Sequence, residues 1–215
     1  MKSVFQFSTA IVGMAIALAS VTSATPVKRS GITCTKTYGG GDLRITNLHG
    51  GKGSQAGDPN DPITETTDGN NYLTTNPDVV DSSPSRFQFD TCQTDGWNVD
   101  GQLFGQLKIT DVSNTKCVTA IPSDDNWSLL QIQDCESYNG GNLYNQWFKA
   151  SPGYDSDLGA YIELELTGNP NDYQYTNDKP IAVSQNVSQG NDLVFVHPLD
   201  TPVPVNLALF GYSEA

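Results

Sequence analysis

Apolar and polar residues alternate over short stretches, and Gly, Pro, Asn or Asp breaks the alternation every eight to twelve residues. A period of two puts successive side chains on opposite faces of a strand, so the pattern predicts an all-β chain with many turns. Strands are expected at residues 42–46, 72–75, 86–91, 106–110, 116–120, 129–134, 147–150, 160–166, 180–184, 193–197 and 205–210. Nothing predicts a long helix.

Three of these strand signatures recur in order. Gly41-Asp42-Leu43-Arg44-Ile45-Thr46-Asn47 matches Gly105-Gln106-Leu107-Lys108-Ile109-Thr110-Asp111. Tyr72-Leu73-Thr74-Thr75-Asn76-Pro77 matches Cys117-Val118-Thr119-Ala120-Ile121-Pro122, and Phe87-Gln88-Phe89-Asp90-Thr91-Cys92 matches Leu130-Gln131-Ile132-Gln133-Asp134-Cys135. Copy one carries an insertion, residues 50–71, rich in Gly, Asp and Pro. A weaker third copy begins near Ala160 with Tyr161, Ile162, Leu164 and Leu166, continues through residues 180–184 and reaches Leu193-Val194-Phe195-Val196. One such unit cannot bury its apolar face alone, so the copies must pack together. Three repeats of about four strands each resemble a β-trefoil, which implies hairpins that close a six-stranded barrel and leave no free edge. Short strands with regular turns also fit a β-sandwich.

The N-terminus predicts export. Lys2 precedes a nearly unbroken run of apolar or small residues from Ala10 to Ala19, and Thr22-Ser23-Ala24 ends it, the layout of a signal peptide over residues 1–24. That run is too short to span a bilayer. The Ala17-Leu18-Ala19 triplet is a second cleavage candidate, and Lys28-Arg29 reads as a dibasic site that would remove residues 25–29. Residues 30–215 then form one domain of adequate size for a core. Loss of residues 1–29 removes three cations and no acid, moving the net charge from -13 to -16. Such a field repels phosphate backbones and anionic lipid, so neutral partners are expected, not nucleic acid or membrane.

Export makes four cysteines a disulfide framework. Cys34, Cys92, Cys117 and Cys135 allow three pairings, and the repeat favours Cys117 with Cys135 and Cys34 with Cys92. No C-x-x-C spacing exists and His49 and His197 lie far apart, so no metal and no cofactor is expected. Asn126-Trp127-Ser128 and Asn186-Val187-Ser188 are N-glycosylation sequons.

Copy two, from Gly105 to Trp147, resembles a repeat of the ricin B-type lectin family: a Gly-x-Leu strand, a Lys-Cys-Val strand, a Gln-containing strand ending in Cys, then Asn145-Gln146-Trp147 where that family has Gln-x-Trp. The resemblance implies a Cys117–Cys135 bridge and a shallow sugar pocket in each competent repeat. Carboxylate and amide groups pair with hydroxyls that both donate and accept, while an aromatic covers the C–H face. Gln131 matches the family's glutamine, Asn145 its first amide, and Trp147 a tryptophan that packs in the core. Thr119 stands where the aspartate belongs and Gln133 where an aromatic belongs. Copy one repeats the departure with Thr74 and Asp90 while keeping Gln88, and copy three has no recognisable set. Trp127, Tyr138 and Tyr144 are the nearby aromatics that could stack on a sugar, and a glycan on Asn126 would crowd that pocket.

No Ser/His/Asp setting, phosphate loop or H-E-x-x-H occurs, so no enzyme is expected. Glu163 and Glu165 share one face of a strand as a solvated pair, and the Asp58-Pro59-Asn60-Asp61-Pro62 run reads as a polar turn. The expectation is a secreted, non-catalytic, lectin-like protein that meets extracellular or cell-wall glycans through a modified sugar site. The alternative is a trefoil that grips a protein, for example as a protease inhibitor, through its long first-repeat loop.

Overall fold

The computed structural model describes residues 31–46, 63–66, 69–75, 86–110, 113–122, 128–138, 141–155, 159–168, 181–186, 193–198 and 206–214. The expected signal peptide, residues 25–29, Asn126 and Trp127 lie outside them. The described residues contain thirteen strands, a short 3-10 turn and no α-helix: β1 (Thr33–Thr46), β2 (Thr64–Glu65), β3 (Leu73–Thr74), β4 (Phe87–Gln93), β5 (Leu103–Ile109), β6 (Lys116–Pro122), β7 (Ser128–Asp134), the 3-10 turn Gly141–Asn145, β8 (Phe148–Asp155), β9 (Gly159–Leu166), β10 (Ile181–Asn186), β11 (Leu193–Pro198), β12 (Asn206–Phe210) and β13 (Ser213–Glu214). All eleven expected strands are present, most within two residues at their ends, but β1 and β5 start earlier than expected and β8 runs five residues further.

Six strands close a barrel. β1 pairs with β4, β4 with β5, β5 with β8, β8 with β9, β9 with β12, and β12 returns to β1, every pair antiparallel. Closure excludes the open sandwich, because the barrel strands leave no unpaired edge around the ring. Alternation fills the interior: Leu43, Phe87, Phe89, Leu107, Phe148, Ile162, Leu164, Leu207 and Leu209 are buried in one cluster. Each such side chain contributes roughly 1.5–3 kcal/mol when fully removed from water.

Three hairpins branch from the ring: β2–β3, β6–β7 and β10–β11. They touch one another in turn. β7 pairs with β11 at Phe195 and Leu129, β11 pairs with β3 at Leu193 and Thr74, and Tyr72 bridges to Gln131 from β3's side to β7. Leu73, Val118, Ala120, Leu130, Ile132 and Val194 extend the core beneath them.

β1 is longer than expected because it changes partners along its length. Tyr38 and Gly39 pair with β13, and residues 42–46 pair with β12. Gly40 (φ 73°) and Gly211 (φ 61°) take left-handed backbone at that change, a conformation that costs L-residues with a Cβ.

Both expected disulfides are present, Cys34–Cys92 and Cys117–Cys135. They are not equivalent in the fold. Cys34–Cys92 joins two barrel strands that are register partners, whereas Cys117–Cys135 ties the open ends of the β6–β7 hairpin. The matched segments 87–92 and 130–135 thus occupy different places, β4 in the ring and β7 in a hairpin. Residues 50–71 are not simply an insertion either: Ile63 is fully buried, its N–H donates to the Leu43 carbonyl at 2.7 Å, and β2 follows it.

Candidate functional site

The β6–β7 hairpin has one apolar and one polar face. Val118, Ala120, Leu130 and Ile132 enter the core, and Cys117, Thr119, Gln131 and Gln133 take the other side. The polar side is sealed at one end and accessible at the other.

Gln146 makes the seal. It follows the 3-10 turn and is 1% exposed. Its Nε2 donates to Thr119 Oγ1 and to the Asp134 carbonyl, each at 2.9 Å, and its Oε1 accepts from the Glu136 N–H at 2.9 Å and from Gln106 Nε2 at 3.3 Å. Gln106 Nε2 also donates to the Glu136 carbonyl at 3.0 Å. Thr119, where the resemblance implied an aspartate, is fully buried under this amide. Its hydroxyl also donates to the Cys117 carbonyl at 3.3 Å, a bond that an ionised carboxylate could not make, so the threonine suits a filled pocket rather than an open one.

Asn145 is half-buried at the end of the 3-10 turn. Tyr144, expected as a stacking aromatic, lays its ring against Trp97, with centroids 4.7 Å apart. Trp97 meets Trp147 edge-on at 5.6 Å. These rings build a second cluster with Cys92, Phe104 and Leu143, which accounts for Tyr144 without a ligand. Tyr138, after β7, forms an isolated antiparallel bridge with Gly31. Asn186 is the last residue of β10.

Gln131 is held at the accessible end. Its Oε1 accepts from Gln133 Nε2 at 2.9 Å, and its Nε2 donates to the Asn70 carbonyl. Tyr72 stands directly opposite Gln131, so their side chains share a face. The turn before Tyr72 is shaped by Gly69 (φ 81°) and Asn71 (φ 57°), and the Tyr72 N–H donates to Thr66 Oγ1 at 3.1 Å. Ile132 N–H donates to the Asn71 carbonyl at 2.8 Å, locking the two hairpins together. Gln131, Gln133, Asn71 and Tyr72 are half-buried and Asn70 is exposed. Thr119, Gln131 and Tyr72 therefore form one cross-strand row, buried at the threonine and open at the tyrosine.

Tyr72 was legible as a strand residue and not as a site residue. Its partner Gln131 lies in another copy, and comparison of copies aligns equivalents, never neighbours.

Copy one's retained glutamine is used internally. Gln88 Nε2 donates to Asp90 Oδ1 at 2.9 Å, and Lys108 Nζ meets Asp90 Oδ2 at 2.8 Å in an ion pair whose side chains are 13% and 8% exposed. Glu165 pairs loosely with Lys149 at 3.9 Å. Among the described residues no group of three His, Cys, Asp or Glu side chains gathers as a metal site, and no helix is long and apolar enough to cross a membrane.

Comparison with protein-family models, with curated proteins and with solved structures finds no match for the chain.

Proposed function

We propose that this is a secreted, non-catalytic, lectin-like protein of β-trefoil fold that holds a neutral sugar where the first and second hairpins meet. The trefoil reading is supported by the pairing order: β1–β4, β5–β8 and β9–β12 are neighbours in the ring, and each pair brackets one hairpin in sequence. In this reading the chain has three repeats of four strands, with β13 as an addition. Export through residues 1–24, trimming to Ser30 and N-glycosylation of Asn126 and Asn186 belong to the same reading. Two disulfides fit it, since such bonds persist in oxidising compartments.

The observation that carries the binding reading is the row of Gln131 and Tyr72 with Gln133 alongside. Amides that are already oriented by hydrogen bonds offer donor and acceptor atoms to sugar hydroxyls with little ordering cost. Tyr72 supplies the aromatic that Gln133 does not. No charged side chain belongs to the row, which suits a neutral ligand.

A glycan array probed with residues 30–215 tests this. Binding to at least one neutral glycan is expected, weakened about tenfold or more by Gln131→Ala and by Tyr72→Ala, a loss of about 1.4 kcal/mol each. Tyr72→Phe, which keeps the ring, retains binding. A folded protein that binds no glycan overturns the reading and turns attention to a protein partner.

A further inference from the structure

The outer wall of the barrel between β8 and β1 carries a half-buried aromatic ring, Tyr161, unrelated to the Gln131 row, with Phe210 buried beside it at 6% exposure. The registers line up Gly153, Tyr161, Phe210 and Asp42 across four strands, and Ser151, Glu163, Ala208 and Arg44 in the next row. Directly opposed residues share a face, and the alternate residues Ile162, Leu164, Leu209 and Leu43 fill the barrel, so both rows face outward.

Tyr161 packs over Gly153 on this wall, its ring tilted 40° against that of Phe210. A Cβ at residue 153 would overlap its phenol ring, so the ring occupies the space that Gly153 leaves empty. Its centroid is 5.7 Å from that of Phe210, and the Arg44 guanidinium sits over the Phe210 ring at 5.9 Å. Arg44 and Arg86 both reach Asp42, at 3.8 and 3.1 Å. Just past Gly153, at the tip of the same hairpin, Tyr154 is 77% exposed, the exposed large hydrophobic side chain among the described residues. Two guanidinium groups and two carboxylates, Asp42 and Glu163, rim the aromatic floor, a balanced patch on a chain of net charge -13.

A flat ring with planar polar groups at its edge complements a pyranose, whose C–H face is apolar and whose rim of hydroxyls both donates and accepts. The charge balance gives no attraction to an anionic or cationic ligand. We infer that this wall is a second saccharide-binding surface, taking a neutral pyranose ring on Tyr161 with Glu163 and the Asp42–Arg44 pair on its hydroxyls. The inference rests on the lectin reading above and extends it: two surfaces on different strands make the protein bivalent, able to link two chains of a polysaccharide.

The test uses the Gln131→Ala/Tyr72→Ala protein, in which the first surface is disabled, titrated calorimetrically with laminarihexaose, cellohexaose, chitohexaose and mannohexaose. Residual binding to at least one of them is expected. Adding Tyr161→Ala should weaken it at least about tenfold, and Tyr161→Phe in its place should restore it, which separates loss of the ring from loss of the fold. Residual binding untouched by Tyr161→Ala, or no residual binding where the wild type binds, overturns this inference and leaves the lectin reading standing. A wild type that binds none of the four hexaoses and nothing on the array overturns both.

Discussion

Gly41 and Gly105 open the same motif in two copies because barrel strands pass too closely there for a side chain. A Cβ at residue 105 would overlap the Asp90 carbonyl oxygen on β4, and one at residue 41 would lie 2.6 Å from the Phe210 carbonyl oxygen on β12. Neither clash involves a flexible side-chain tip, so the strands themselves would have to part. Gly105→Ala should destabilise the fold by about 2–3 kcal/mol, read as a lowered denaturant midpoint, while Gly31→Ala, with nothing within 4 Å, should stay within about 0.5 kcal/mol. The Asp90–Lys108 pair is the other residue-scale commitment. Lys108→Met leaves a buried carboxylate held only by Gln88, and a loss of about 3–5 kcal/mol is expected. Asp90→Leu combined with Lys108→Met should recover much of that loss, since the uncompensated charge goes with it. Additive losses in a double-mutant cycle would show that the pair is not coupled.

Among the elements, the strands were legible because each alternates cleanly, but their places in the fold were not. Phe87-Gln88-Phe89-Asp90 and Leu130-Gln131-Ile132-Gln133 read alike because β4 and β7 each bury apolar side chains on one face and set amides on the other. Alternation reports two unlike faces and is silent on whether the strand belongs to the ring or to a hairpin. β2 and β13 are two residues each, too short for any period to register, and the first half of β1 is hidden by its glycine run. The cysteine pairs were nevertheless assigned correctly, and their different placement gives them different weights. Loop-closure entropy predicts about 4 kcal/mol for Cys34–Cys92, separated by 58 residues, and about 3 kcal/mol for Cys117–Cys135, separated by 18. Replacing the first pair by alanine should therefore lower the denaturation midpoint more than replacing the second. The reverse order would mean that the β6–β7 clasp stabilises chiefly by holding the Gln146 network in place.

For the molecule as a whole, closure of the barrel depends on how the two ends of the domain meet. β13 clips onto β1 through Tyr38–Glu214 and Gly39–Ser213 pairing, and Ser213 Oγ donates to the Gly39 carbonyl at 3.1 Å. Tyr38 and Tyr212 pack edge to face at 5.0 Å beside Glu214. Burial, and then the nearby Glu214 carboxylate, raise both phenols above the usual tyrosine value of 10.0. The folded state thus holds these protons more tightly than the unfolded chain does. Their contribution to stability is fully present below about pH 10 and is lost as the pH rises through the raised folded values. Thermal midpoints between about pH 8 and 11.5 should fall beyond about pH 10 in the wild type. The fall should be shallower in Tyr38→Phe/Tyr212→Phe, where no proton remains to be lost, and shallower in Glu214→Gln, where the phenols return toward their usual value. An equally steep fall in the double variant would place the alkaline weakness elsewhere in the barrel and free the terminal clip of any role in it.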